Sequence, residues 1–311
     1  MPAQTTSSIL MVSPDTFAYN TQTAGSNSFQ NKPEYDVPTL REKVLAEFNG
    51  MTEKLMNLGI DVYVLGLDSE TDLPDAVFPN NWFSTYEDGT VMLFPMLSEN
   101  RRLERDRDML KDIMESSDFE VNRMVDYSEY EEQGLILEGT GSLVLDRKNN
   151  AVFAIESERT NKTLFDKYCS EFDIPLNNRI FFHAKDKEGL PIYHTNVIMS
   201  IGDGFAVICA ECIESSEREV VLNKLSKLGL EVIEISYAQM NSFCGNILNL
   251  KSINNESIIV MSATARWNFE DDQITRLEKY GSIAEVNIGT IESVGGGSAR
   301  CMMAEIFLPK E

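Results

Sequence analysis

Apolar residues recur at helical spacing in "TLREKVLAEFNGMTEKLMNLG". Leu40, Val44, Phe48, Met51, Leu55 and Leu58 fall on one face there, and Gly59 closes the run. The pattern predicts an amphipathic helix whose stripe packs into a core. Further helix-like segments open near Asn100, Ser157, Glu214 and Thr264. Between them lie short β-rich runs in pairs: "SLVLD" with "AVFAI", "VIMSIG" with "FAVIC", and "ILNL" with "SIIVM". Each pair is joined by a few polar residues such as "RKNN" or "GDG", which predicts a hairpin. A strand–strand–helix–strand unit therefore recurs about every 55 residues, five times over, with little literal identity between copies.

Such units each leave a half-buried sheet and an amphipathic helix, so they either stack or close on themselves. With five copies and no capping repeat, closure into a ring is expected. A ring brings equivalent positions of its units together at the axis. The residues just before the hairpins then become informative. Asn81 stands in "DAVFPNNWFS", Glu138 in "LILEGTGS", His194 in "PIYHTNV", Asn246 in "FCGNILNL" and Cys301 in "GGGSARCMM". Their spacings are 57, 56, 52 and 55 residues. Five polar side chains at one point of a repeated unit are expected to converge.

Composition narrows the function. The chain has 311 residues, 42% of them apolar, enough for a substantial core. No Pro/Gly/Ser-rich linker divides it, and a single domain over residues 1–311 is expected. The net charge of −23 is spread along the chain, which argues against nucleic acid or an anionic membrane as a partner. The segment "MPAQTTSSILMVSP" lacks the basic and long apolar regions of a secretion signal, and no window approaches a membrane span. A cytoplasmic location is the expectation. Cys169, Cys209, Cys212, Cys244 and Cys301 are odd in number and irregularly spaced, unlike a disulfide framework. Cys209 and Cys212 form a CxxC in "VICAEC", but no second pair or nearby His completes a zinc set, and both are read as core thiols.

Cys301 is different, because three glycines precede it and it belongs to the recurring polar series. Glycines allow positive φ and close backbone approach to a ligand, so a thiol behind them can form a pocket floor. A thiolate nucleophile needs a base and a proton donor, which His supplies near neutral pH. Of the two histidines, His183 in "RIFFHAK" reads as a packed or edge residue, leaving His194 as general acid/base. Glu138, flanked by "LIL" and "GTG", reads as a carboxylate whose pKa desolvation raises. Cys, His and Glu together suit attack on a carbon bonded to nitrogen, followed by hydrolysis of a thio-intermediate. Arg101 and Arg159 read as forks for a substrate carboxylate, and Arg102, Arg105 and Arg107 as surface ion-pair partners.

With these residues in place, the sequence resembles the pentein superfamily of guanidine-modifying enzymes. It looks closest to the amidinotransferase-like branch of citrulline-utilisation hydrolases, and is related to arginine deiminase and dimethylarginine dimethylaminohydrolase. The resemblance runs from "MVSPDTFAYN" to "EIFLP" through "NRRLER", "LEGTGSLVLDR", "SERT", "YHTNV" and "GGGSARCM". It implies an α/β fold, a five-bladed α/β propeller of ββαβ repeats. It also implies Cys301 as nucleophile, His194 as acid/base, Glu138 as its carboxylate partner, Arg101 and Arg159 on the substrate carboxylate, and Asp75 as a substrate-contacting acid. The chain departs from arginine deiminase-like members in carrying Asn81 and Asn196 where they hold the guanidinium with aspartates. A buried guanidinium without those carboxylates is short of partners, whereas a neutral ureido group suits asparagines that both donate and accept.

The expected reaction is citrulline to ornithine, ammonia and carbon dioxide, with backbone N–H groups near the glycine run polarising the oxygen. No metal or organic cofactor is expected, since two isolated histidines do not make a metal set. Arginine deiminase or dihydrolase, amidinotransferase and a silent binding protein remain open as rivals, as does homo-oligomerisation.

Overall fold

In the computed structural model the described residues are 2–66 and 72–310. The first predicted helix spans Val37–Asn57. The Asp36 side chain caps it by accepting from the Thr39 N–H, and Pro38 stands in its first turn. Leu40, Val44, Phe48, Met51 and Leu55 are buried against Ile9, Met11, Ile258 and Val260. Each such side chain contributes about 1.5–3 kcal/mol when fully buried. Gly59, at φ +79°, turns the chain out of the helix.

The strands are β1 (Ser8–Val12), β2 (Asp61–Leu65), β3 (Phe83–Thr85), β4 (Thr90–Leu93), β5 (Arg123–Asp126), β6 (Val144–Asp146), β7 (Ala151–Ile155) and β8 (Arg179–Phe182). Then come β9 (Met199–Ile201), β10 (Phe205–Ile208), β11 (Glu231–Glu234), β12 (Leu248–Lys251), β13 (Ser257–Ser262), β14 (Ser282–Val286) and β15 (Ala304–Ile306). They form five three-stranded sheets, ordered β3-β4-β5, β6-β7-β8, β9-β10-β11, β12-β13-β14 and β15-β1-β2. In each, the first strand runs antiparallel to the middle one and the middle one parallel to the third. A parallel neighbour needs a crossover, and each crossover carries a helix. The hairpins and the ββαβ unit read from the sequence are therefore present.

The fifth sheet is assembled from both ends of the chain. β15 pairs antiparallel with β1, Ser8 opposite Ile306, while β1 pairs in parallel with β2. The first strands of the sheets also touch through side chains. Thr85 Oγ1 donates to Glu305 O at 2.9 Å and accepts from the Phe307 N–H, joining β3 to β15. Gln4 donates to Leu145 O and Ile201 O, bridging β6 and β9. Asn249 accepts from the Asp203 N–H, joining the end of β9 to β12. Among the described residues no helix is long and apolar enough to cross a membrane.

Two expectations shift. The segment opening near Ser157 becomes helical only at Lys162–Glu171, because residues 157–160 make a turn in which Thr160 N donates to Ser157 O. The segment near Asn100 splits into Glu99–Arg102 and Arg107–Ser116, and Asp106 caps the second piece.

Candidate active site

Each first strand is preceded by one member of the polar series. Asn81 precedes β3, Glu138 β6, His194 β9, Asn246 β12 and Cys301 β15. All five side chains are buried. The fold thus repeats one position five times: Cys301 and Asn246 stand together with Asn196, and His194 stands with Glu138.

The first group surrounds the sulfur. Cys301 Sγ accepts from Asn246 Nδ2 at 3.2 Å and from Asn196 Nδ2 at 3.6 Å, and Asn246 Nδ2 also donates to Asn196 O at 3.0 Å. The second group is the pair His194–Glu138, with Nε2 to Oε2 at 2.8 Å. Leu97 N–H donates to the other carboxylate oxygen at 3.0 Å, and Arg159 Nη1 stands 3.5 Å from Oε2. Gly141 brings Asn81 against the same imidazole. A Cβ there would lie 2.4 Å from Asn81 Nδ2 and 2.8 Å from His194 Nδ1, so only glycine lets the two stand side by side.

Electrostatics set the protonation states. Burial pushes the His194 pKa down to about 4; the bond to Glu138 opposes this, and Arg159 and Arg101 add to it. The imidazole is neutral at pH 7. With Nε2–H donated to Glu138, Nδ1 is the free acceptor. Glu138 corrects the expectation of a raised carboxylate. Burial alone pushes it up, but Arg159, the bond from His194 and Arg101 together hold it well below the usual range. The residue is therefore an anion hydrogen-bonded to the imidazole.

The other predicted residues take distinct positions. Asn81 Oδ1 accepts from Arg101 Nη1 at 2.8 Å. Arginine has no acceptor, so this bond fixes the amide orientation and leaves Nδ2 as the group facing away, buried and without a partner. Asn196 Oδ1 is likewise buried and unpaired, as are Asp75 Oδ1 and Arg159 Nε. Asp75 Oδ2 accepts from Asn20 Nδ2 at 2.7 Å and Thr23 Oγ1 at 3.0 Å. Burial raises the Asp75 pKa, while Arg101, these two bonds and Arg159 lower it. Arg159 keeps Nη2 on Ser26 Oγ at 2.7 Å and lies over the Tyr193 ring.

Arg101 differs from its expected role as an open fork. Its Nε and Nη2 grip both oxygens of Glu104 at 2.9 Å, and Nη2 also donates to Phe78 O at 3.1 Å. Glu104 lies three residues on and closes that fork; burial pushes its carboxyl up to about 7, against the lowering pull of Arg101. The glycine run also serves packing more than ligand approach. Gly296 sits at φ +67°, and a Cβ on Gly295 or Gly297 would stand 2.8 Å from the Phe78 ring. Asn27, Gln30 and the Tyr193 hydroxyl cover its carbonyls.

His183 is an exposed edge residue between Glu156 and Glu217, as expected, and Arg102 and Arg105 converge on Glu131. Sequence reasoning passed over Asn20, Thr23, Ser26, Glu104 and, as a member of the site, Asn246. The last belonged to the recurring series; Asn20 closes the quoted "MVSPDTFAYN" block. Glu104 lies in the quoted "NRRLER" block, three residues after Arg101, whereas Ser26 carried no local signal.

Beyond this geometry, the family model described as "N,N dimethylarginine dimethylhydrolase, eukaryotic" matches residues 13–308. No curated protein matches the chain. Among solved structures it is similar to apo ArgZ, an arginine dihydrolase from the ornithine–ammonia cycle in cyanobacteria, with TM-score 0.73 and 16% identity over 98% of this chain and 41% of that one. It therefore spans about two fifths of that enzyme. The N-terminal domain of ArgZ alone, an Asn→Ser variant covalently bound to a reaction intermediate, gives TM-score 0.72 and 17% identity over 97% of this chain and 99% of that one. A dimethylarginine dimethylaminohydrolase, a His→Gly variant as an adduct with S-methyl-L-thiocitrulline, gives TM-score 0.64 and 14% identity over 98% and 100%. With its family model matched over nearly the whole length, the chain belongs to the family described as eukaryotic N,N dimethylarginine dimethylhydrolase, within the pentein superfamily of guanidine-modifying enzymes.

Proposed function

We propose that this chain is a cysteine-dependent hydrolase of a ureido carbon, converting citrulline to ornithine, ammonia and carbon dioxide. The same reading takes the five sheets as blades of a closed propeller, with the substrate bound where their first strands begin. The observation that carries it is the pair of buried, unpaired amide atoms, Asn81 Nδ2 and Asn196 Oδ1. The first is a donor for a ureido C=O and the second an acceptor for a ureido N–H.

In this mechanism His194 Nδ1 takes the Cys301 proton as the sulfur attacks the ureido carbon, and Glu138 stabilises the imidazolium. Asn81 Nδ2 holds the developing oxyanion, the role expected of the glycine run. The imidazolium then protonates the departing nitrogen, leaving a thiocarbamate on Cys301. Neutral again, His194 removes a proton from the attacking water. The carbon–sulfur bond breaks, and the carbamate released loses carbon dioxide. Arg159 binds the substrate carboxylate through its unpaired Nε, while Arg101 orients Asn81.

A second reading, arginine dihydrolysis, is favoured by Asp75 Oδ1, an unpaired carboxylate oxygen suited to a guanidinium N–H, and by the likeness to arginine dihydrolase. The test is purified protein with L-citrulline, L-arginine and dimethylarginine in separate reactions, following ornithine, citrulline, ammonia and dimethylamine, with Cys301→Ala as control. Ornithine from citrulline, lost in the variant, supports the ureidohydrolase. Turnover of arginine or dimethylarginine with citrulline untouched replaces it.

A further inference from the structure

We propose that Cys209 and Cys212 form a reversible dithiol–disulfide couple, a redox modification site separate from Cys301 and independent of the substrate assignment. Cys209 follows β10 and Cys212 ends the short turn Ala210–Cys212, whose N–H donates back to Cys209 O at 3.3 Å. That turn folds the two side chains over each other, with Sγ atoms 2.7 Å apart. A disulfide bond is about 2.05 Å long, so closure needs a small side-chain movement. Cys301, by contrast, has the Asn246 and Asn196 amides beside its sulfur. Among the described residues no group of three or more His, Cys, Asp or Glu is placed to hold a metal ion, which favours a dithiol over a zinc site.

The two thiols are also chemically unequal. The side-chain bond from Cys212 lowers the Cys209 pKa against its burial, whereas the bond to Cys209 and burial push Cys212 well above the ordinary thiol range. In the proposed couple Cys209 is taken as the attacking thiol and Cys212 as the resolving one. Both are buried, but Cys212 Sγ lies 3.3 Å from Met240 Sδ, and Met240 lines a cavity of about 1130 Å³ that also borders Arg159 and Tyr193. Met240 thus touches both the dithiol and that cavity.

With hydrogen peroxide as oxidant the Cys209 thiolate attacks one oxygen and the O–O bond breaks, giving a sulfenic acid and water once the leaving hydroxide is protonated. Cys212 sulfur then attacks the sulfenic sulfur, the S–S bond forms, and a second water leaves. Two thiols give up two electrons and two protons, and one peroxide becomes two waters. The turn also carries a wall of the cavity. Cys212 O accepts from the Lys185 N–H at 2.9 Å, His183 O accepts from the Glu214 N–H, and Ala184 bridges Ile213. The start of the segment running on to His194 is therefore held by the backbone of the turn that carries the two thiols.

The test treats the reduced full chain with stoichiometric hydrogen peroxide, then denatures and alkylates it. Tryptic peptide 188–218 contains both cysteines and no other. The expected result is that this peptide escapes alkylation and is lighter by about 2 Da. Titratable thiols should fall by two from five, and dithiothreitol should restore them. Each of Cys209→Ser and Cys212→Ser should abolish the loss. A peptide fully alkylated while Cys301 is oxidised, or a sulfinic Cys209 beside an alkylated Cys212, overturns the proposal without recourse to any variant.

Discussion

Asn81→Asp tests the amide reading at a single atom. The substitution is isosteric and keeps an oxygen for Arg101 Nη1, now 2.8 Å from Asn81 Oδ1, but it replaces the donor Nδ2 by an acceptor. A bound ureido C=O then loses one hydrogen bond, about 1 kcal/mol, and faces an unpaired buried oxygen, about 1–3 kcal/mol more. The sum of about 2–4 kcal/mol corresponds to about a 30- to 1000-fold fall in kcat/KM for citrulline. A guanidinium responds oppositely, because the new carboxylate makes a charge-assisted bond to it. The assay is ornithine release from each substrate, beside a thermal melt to confirm that the variant folds. A folded Asn81→Asp protein whose citrulline turnover stays within about 3-fold of the parent refutes the assignment of Asn81 as the carbonyl donor.

Other consequences follow from the same geometry. Glu138→Gln removes the anion that holds His194 and should lower kcat by about 10³-fold or more, measured as ornithine release at saturating substrate. The His194 pKa, 6.5 in the unfolded chain and about 4 in the folded one, contributes stability that is present above pH 6.5 and lost as pH falls toward 4, about 3 kcal/mol in all. Glu104, raised to about 7, has the opposite slope. The check is therefore the difference in urea midpoint between parent and His194→Gln across that window, which should shrink with falling pH. Glu104→Gln leaves Arg101 an incompletely paired buried cation and should cost about 3–5 kcal/mol by urea unfolding. Gly141→Ala places a methyl against Asn81 Nδ2 and the His194 ring, and should cost activity together with about 1–3 kcal/mol of stability.

The amino-acid sequence by itself determined the repeating unit and the residues at its mouth. Hydrophobic period and turn residues are local properties, so the stripe from Leu40 to Leu55, the hairpins and the near-regular spacing of Asn81, Glu138, His194, Asn246 and Cys301 are legible without coordinates. Only tertiary structure decided what surrounds them. Glu138 read as a raised carboxylate because its neighbours in the chain are apolar, yet Arg159 and His194, 21 and 56 residues away, hold it ionised. Arg101 read as an open fork because nothing local marks Glu104 as buried beside it. The N-terminal loop that brings Asn20, Thr23 and Ser26 to Asp75 and Arg159 bridges 52 to 133 residues. Protonation state and hydrogen-bond availability depend on groups that folding brings within a few ångströms. Sequence spacing names the participants, and three-dimensional packing sets their charge.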